Sequence, residues 1–260
     1  MTGIFDTHAH YDDEAYDEDR EVFVASLLDN NVTRVVNIGA DIKSSGNSVA
    51  LSKKYDFFYA AIGVHPSDVA ELEEEGALDA LKAMVTENEK IVAIGEIGLD
   101  YHYDDTDREL QKKWFEKQLE LAREVKLPVV IHSRDAAKDT IDIMKAHDAE
   151  EIGGVIHCYS YEKEMAKLFL RMGYFFGIGG VLTFKNSRKL KEVVEYLPLE
   201  NIVLETDAPY LAPVPYRGKR NSSSYIKYVA EEIANIKNID VDEVLEKTFE
   251  NACRLYKLYV

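Results

Sequence analysis

Six residues of metal-ligating type stand at the ends of short apolar runs. His8 and His10 end the first run, Ile4-Phe5-Asp6-Thr7-His8-Ala9-His10, and Glu96 ends Ile91-Val92-Ala93-Ile94-Gly95-Glu96. His132 ends Pro128-Val129-Val130-Ile131-His132, His157 ends Gly154-Val155-Ile156-His157, and Asp207 follows Ile202-Val203-Leu204-Glu205-Thr206. Imidazole and carboxylate donors in one cluster suit Zn²⁺, Mn²⁺ or Mg²⁺, and the chemistry such ions do is hydrolysis by an activated water. If the runs are parallel strands, all six side chains meet at one rim, as they do in metal sites built on β/α barrels.

The spacing within the set is informative. His8-Ala9-His10 is a strand-type H-x-H, whose imidazoles share a face because side chains two apart on a strand project the same way. Six donors exceed the four that one tetrahedral zinc requires. They match two ions about 3.5–4 Å apart bridged by a carboxylate. Glu96 suits the bridge, and Asp207 can both bind an ion and take a proton from the attacking water. His65, in Gly63-Val64-His65-Pro66, is open between ligand, outer hydrogen-bond donor and plain loop residue. His102 could face substrate, and His147 reads as the dipole partner of a helix C-terminus.

Basic residues lie near this set. Arg134, two residues after His132, could bind phosphate oxygens or pair with Asp135 or Asp139. The segment 206–221 (TDAPYLAPVPYRGKRN) holds Pro209, Pro213 and Pro215, so it reads as a shaped loop with Arg217, Lys219 and Arg220 offering a phosphate clamp. Tyr101, Tyr103, Tyr159 and Tyr161 could stack on bases or sugars, or simply pack the rim.

Eight strand-like runs must position these groups: 3–7, 33–38, 57–62, 91–95, 128–132, 153–157, 174–178 and 201–205. Amphipathic segments alternate with them at 17–30, 43–54, 76–87, 107–126, 135–147, 161–172, 187–196 and 222–236, and a further helix is expected at 240–257. In 107–126, Leu110, Trp114, Leu121 and Val125 form one stripe flanked by Phe115 and Leu119, and Pro128 stops the helix. Eight β-then-α repeats predict an α/β TIM barrel, (β/α)8, with an extra C-terminal helix, as one domain over 1–260.

Bulk properties narrow the function classes. The 260 residues carry a formal net charge of −17, which disfavours nonspecific attraction to nucleic-acid backbones. The imbalance is uneven: residues 12–21 hold seven acids and one Arg, whereas 208–230 hold four bases and no acid. Two cysteines, Cys158 and Cys253, form no disulfide framework and fit a reducing compartment. Cys158 reads as a buried thiol rather than a ligand, because neighbours on a strand point to opposite faces. No signal peptide or membrane span is expected, so the predicted location is cytoplasmic.

The motifs DTHAH (6–10), IGVHP (62–66), IGEIGLDY (94–101), PVVIHSRDA (128–136), VIHCYS (155–160), ETDAPYLAP (205–213) and RGKRN (217–221) together resemble the TatD family of metal-dependent hydrolases, TatD-like deoxyribonucleases of the amidohydrolase-like superfamily. The resemblance runs from Asp6 to the C-terminal helix. It implies two divalent ions on His8, His10, Glu96, His132, His157 and Asp207, with Glu96 bridging, and cleavage of DNA, including 3′-to-5′ exonuclease action. It also implies further metal or water binding near Glu205 and His65, and substrate phosphate near Arg134, Arg217 and Lys219. Tyr161 stands where the family usually has glycine, and Ser222-Ser223 where it usually has Glu-Pro. The expected protein is a two-metal phosphodiesterase acting on DNA, as a monomer or weak oligomer. Two alternatives stay open: an ester or amide hydrolase, such as a D-aminoacyl-tRNA deacylase, on the same site, and a metal-stabilised binding protein.

Overall fold

The computed structural model describes residues 3–72, 76–102 and 106–258; Tyr103, a candidate stacking residue, lies outside them. Eight strands alternate with helices: β1 (Ile4–Ala9), α1 (Arg20–Asp29), β2 (Val32–Ile38), α2 (Ile42–Lys54), β3 (Phe58–Ile62), α3 (Ala77–Glu87), β4 (Ile91–Asp100) and α4 (Arg108–Val125). The series continues with β5 (Val129–Arg134), α5 (Ala137–Ala146), β6 (Gly154–Ile156), α6 (Lys163–Arg171), β7 (Phe175–Ile178), α7 (Arg188–Tyr196), β8 (Ile202–Leu204), α8 (Ile226–Lys237) and α9 (Val241–Leu255). All seven ladders between consecutive strands are parallel, in the order β1 to β8. The fold is the expected TIM barrel with α9 as the extra C-terminal helix.

Local chemistry sets several boundaries. The Asp41 carboxylate caps α2 by accepting from Ser44 N at 2.5 Å, and the Ser44 hydroxyl accepts from Asp41 N at 2.9 Å. Asp107 caps α4 by accepting from Leu110 N, and Lys126 closes its other end in the left-handed region before Pro128.

Two apolar layers result. Phe5, Val36, Ala61, Ala93, Val130, Val155, Phe175 and Val203, one from each strand, meet in the barrel interior with Ala252, Leu255 and Tyr256 from the end of α9. The opposite strand faces, among them Ile4, Val35, Ile94, Ile131 and Ile178, pack against the helices.

The barrel closes between β1 and the segment after β8. Asp207 N donates to His8 O at 2.9 Å, and His10 N donates to Ala208 O at 2.7 Å. A single parallel bridge, Ala9 with Ala208, spans this seam. Below it the Asp6 carboxylate accepts from His8 N, Thr206 N, the Thr206 hydroxyl and the Ser223 hydroxyl.

Candidate metal centre

Strand alternation alone would turn two key side chains the wrong way. On β1, Ile4 faces the helices, so Asp6 and His8 should follow it outward. Ala9 takes the outer position instead, and the pairing register with β2 slips between Asp6 and Ala9. The slip turns His8 inward. On β4, Ile94 and Ile97, three residues apart, both pack in the outer layer, and the register with β5 slips between them. Glu96, within that slip, turns inward. Glu96 was expected at a strand end; it lies instead in the middle of β4, which runs on to Asp100. Irregularities of this kind re-aim side chains beside active sites.

Glycine makes room twice. Gly98 has φ +142°, and a Cβ there would lie 1.9 Å from the His132 carbonyl oxygen of β5. At Gly177 a Cβ would lie 2.0 Å from Glu205 Oε2, so the smallest residue on β7 admits the Glu205 carboxylate.

The six expected donors converge. His8 Nε2 lies 3.1 Å from His10 Nε2, 3.4 Å from Glu96 Oε2 and 3.7 Å from Asp207 Oδ1. His10 Nε2 is 3.4 Å from Asp207 Oδ1. Across Glu96, Oε1 is 2.8 Å from His132 Nδ1 and 3.7 Å from His157 Nε2, and His157 Nε2 is also 3.7 Å from Asp207 Oδ1. The His8, Glu96 and His157 donors, and those of His8, His10 and Asp207, each form a group able to hold a cation.

The nitrogens turned away from the cluster face acceptors in three of the four histidines. His10 Nδ1 donates to Ile38 O at 3.0 Å, and His132 Nε2 faces Asp100 Oδ2 at 3.0 Å. His157 Nδ1 lies 3.1 Å from Glu205 Oε1. His8 Nδ1 is buried without a protein partner, and His157 Nδ1, although close to Glu205, makes no hydrogen bond. A neutral ring protonated on its outer nitrogen offers its lone pair inward. Carboxylate partners of this kind fix the ring and raise its basicity as a ligand.

The electrostatics favour positive charge at the centre. Burial opposes protonation of His157, but Glu205 and Glu96 outweigh it and lift the ring to about 10. Burial likewise opposes protonation of His10, and the bond to Asp207 raises it to about 9. Burial would raise Glu96 and Asp207, yet the surrounding histidines hold both below the usual carboxylate range. A divalent cation would supply the charge that these acids otherwise draw from protons.

A cavity of about 430 Å³ opens over the cluster. Among the described residues it is lined by Asp12, Asp13, Asp41, Asp68, Glu96 and Asp207 and by His10, His65, His132 and His157, with no Lys or Arg. The expected phosphate-binding residues lie outside this lining. Arg134, at the end of β5, acts electrostatically on Asp100 and Cys158. Its two suggested partners are engaged elsewhere: Asp135 with His102, Asp139 with Lys112 and Tyr101. The Arg217 guanidinium stacks 4.4 Å from the Phe184 ring centroid, and Lys219 lines a neighbouring cavity with Pro209 and Tyr210. Arg220 is structural: it forks onto Asp19 at 2.8 and 2.6 Å and covers the Tyr16 and Phe23 rings.

Other expectations resolve. Tyr161 packs the rim, its hydroxyl shared with Ser133 Oγ and accepting from Ala136 N. Ser223 is buried and bonded to Asp6 and Tyr11, so the Ser222-Ser223 departure is absorbed behind the seam. Cys158 is half-buried beside His157 and Glu205. Burial and nearby carboxylates push its thiol up, so it stays protonated. His147 caps the C-terminus of α5, near Glu116 and Glu120.

Three positioning residues escaped the sequence reading. Asp100 supports His132, and Gln111 of α4 holds Asp100 by bonding both its N and its O, at 2.9 Å each. Gln118 does the same for Val64, next to His65. Glu96, Gly98 and Asp100 share one strand face, a signal the sequence did contain; buried glutamines within an apolar stripe leave none.

A TIM barrel carrying a His/carboxylate cluster at the C-terminal ends of its strands defines a metal-hydrolase architecture. Residues 5–257 match the model of the TatD related DNase family, and the chain belongs to that family of metal-dependent hydrolases. It is 44% identical over 255 residues to the metal-dependent hydrolase YabD of Bacillus subtilis, covering 98% of this chain and 99% of that protein. It is 32% identical over 261 residues to the metal-dependent hydrolase YcfH of Escherichia coli, covering 98% and 96%. Among solved structures, the TatD homolog YjjV of Escherichia coli superposes with a TM-score of 0.92 at 30% identity, with 98% of each chain covered. A TatD family hydrolase from Entamoeba histolytica gives 0.89 at 27% identity, covering 98% and 99%.

Proposed function

We propose that the protein is a cytoplasmic, two-metal phosphodiesterase that cleaves DNA, removing nucleotides from 3′ ends. The observation that carries this reading is the convergence of His8, His10, Glu96, His157 and Asp207 in two overlapping donor groups, with His132 Nδ1 2.8 Å from Glu96, in a chain of the TatD related DNase family. In this reading His8, His10, Asp207, His132, His157 and Glu96 would hold the divalent cations. Zn²⁺, Mn²⁺ and Mg²⁺ all suit the donor set. When bound, the cations polarise the scissile group and lower the pKa of an attacking water. Asp207, held as a carboxylate, would serve as the proton acceptor for an attacking water. Arg134, Arg217 and Lys219 hold phosphates flanking the scissile bond, outside the cavity lined by acids. Glu205 orients His157 rather than binding a further ion.

The experiment is cleavage of end-labelled oligonucleotides by the purified protein. EDTA is expected to abolish cleavage, and Asp207→Ala or Glu96→Ala to lower turnover by orders of magnitude. Unchanged cleavage by Asp207→Ala would refute the mechanism.

One observation favours a second reading. A cavity with six acids and no described Lys or Arg repels a polyanion near the reacting centre. It suits an ester or amide hydrolase whose substrate is neutral or cationic there, such as an aminoacyl ester. Parallel assays on oligonucleotides, charged tRNA and simple esters separate the two.

A further inference from the structure

His65 belongs to a trio, with Asp100 and His132, whose donor atoms lie within 4.8 Å of one another, the spacing of a metal site. Proton accounting at the two imidazoles argues against an ion there. A ligand nitrogen needs a free lone pair. His132 Nε2 faces the Asp100 carboxylate at 3.0 Å and its Nδ1 faces Glu96 at 2.8 Å, so both of its nitrogens already address carboxylates. At His65 the arrangement is the reverse of that at His10. His65 Nδ1 accepts the backbone N–H of Ser67 at 3.2 Å, whereas His10 Nδ1 donates to a carbonyl. A backbone amide can only donate, so His65 Nδ1 holds the lone pair and a neutral ring carries its proton on Nε2.

The ring is well fixed for a fine task. His65 N donates to Ala40 O, Gln118 clamps the adjacent Val64, and the ring stands edge-on to His132 with centroids 4.4 Å apart. His65 Nε2 has no hydrogen-bond partner among the described residues, and the ring lines the cavity over Glu96, His132, His157 and Asp207.

We propose that His65 is not a metal ligand but a fixed, uncharged hydrogen-bond donor, whose Nε2–H contacts the oxygen on which negative charge develops during hydrolysis. The proposal rests on the metal-hydrolase reading and holds for a phosphoryl or a carbonyl oxygen. A neutral donor suits this cavity because it stabilises the developing charge without competing with the cations for the carboxylates.

Two measurements need no substrate. Long-range proton–nitrogen NMR of ¹⁵N-histidine-labelled, zinc-loaded protein, with His65→Gln for assignment, should show His65 protonated on Nε2 and bare on Nδ1. Metal analysis should find the same zinc content in wild type, His65→Ala and His65→Gln. An Nδ1–H tautomer, or loss of zinc in His65→Ala, overturns the proposal. Turnover of bis(p-nitrophenyl) phosphate and of p-nitrophenyl acetate supplies the third arm. On whichever substrate the wild type cleaves, His65→Ala should lose about 10²–10³ in kcat, the usual effect of removing one oxyanion donor. KM should move little, and His65→Gln, whose amide N–H reaches nearly the same place, should recover tenfold or more. Unchanged kcat in His65→Ala overturns the proposal. Activity on the acetate alone refutes the nuclease reading and leaves this one standing.

Discussion

Glu205 Oε1 lies 3.1 Å from Nδ1 of His157 and also accepts the Cys158 backbone N–H at 2.6 Å. One buried carboxylate thus lies against the ring of a candidate ligand and holds the turn that carries it. Glu205→Gln keeps the shape and removes the charge. Metal affinity, measured by competition with a chromophoric chelator, is expected to fall about 10–100-fold while the fold is retained. Asp100→Asn should act alike through His132. Affinity equal to wild type in both variants would mean that these carboxylates do not support the ligands.

If His10 and His157 ligate a cation, protons compete with it for their lone pairs, since the two rings are raised to about 9 and about 10. Apparent affinity for zinc should therefore rise from pH 6 to pH 8, and binding should release protons, as read by calorimetry in buffers of different ionisation enthalpy. In chelator the sign for stability is opposite. A raised histidine contributes fully below its ordinary 6.5 and loses its contribution as pH climbs through 9 and 10. Thermal melts in EDTA should show falling stability over that alkaline window. Affinity that is flat from pH 6 to pH 8 would contradict the assigned donors.

Gly98 combines φ +142° with a backbone oxygen of β5 where a Cβ would sit. Gly98→Ala is expected to cost at least about 1–3 kcal/mol, because a conformation reserved for glycine is strained by any side chain. Denaturant melts would report it. The chemistry should suffer too, since the displaced neighbour is His132. A variant as stable as wild type would show that the β4 irregularity is not required.

The three loop cations should separate. Arg220→Ala removes a fork onto Asp19 and cover from Tyr16 and Phe23, so it should lower Tm and leave metal content unchanged. Arg217→Ala and Lys219→Ala should leave Tm alone, raise KM for an oligonucleotide and flatten its salt dependence by about one phosphate contact each. Identical kinetics across a salt series in wild type and both variants would remove the loop from substrate binding.

The fold was legible because periodicity changes between two residues and 3.6 residues eight times along the chain. The candidate site was legible because histidines and acids stood where apolar runs stop. What escaped came from breaks in period. Nothing in Ile94-Gly95-Glu96-Ile97 announces that the alternation slips there, so Glu96 was read at a strand end when it lies mid-strand. The phosphate clamp was read from charge alone, and charge does not reveal that Arg220 is held by Asp19 while Arg217 rests on Phe184. Gln111 and Gln118 were hidden because a polar side chain serving another segment's backbone has no local signature.

The backbone hydrogen bonds that close the barrel between β1 and the segment after β8 come from the peptide groups of His8, His10, Thr206, Asp207 and Ala208. If His8, His10 and Asp207 hold an ion, grip on it and the integrity of the cylinder share the same few links. Stripping the protein of cations should speed amide exchange first at His10 and Asp207, before any change at the other seven strand-to-strand boundaries. The weakest stave of this barrel would then be fastened by its cargo.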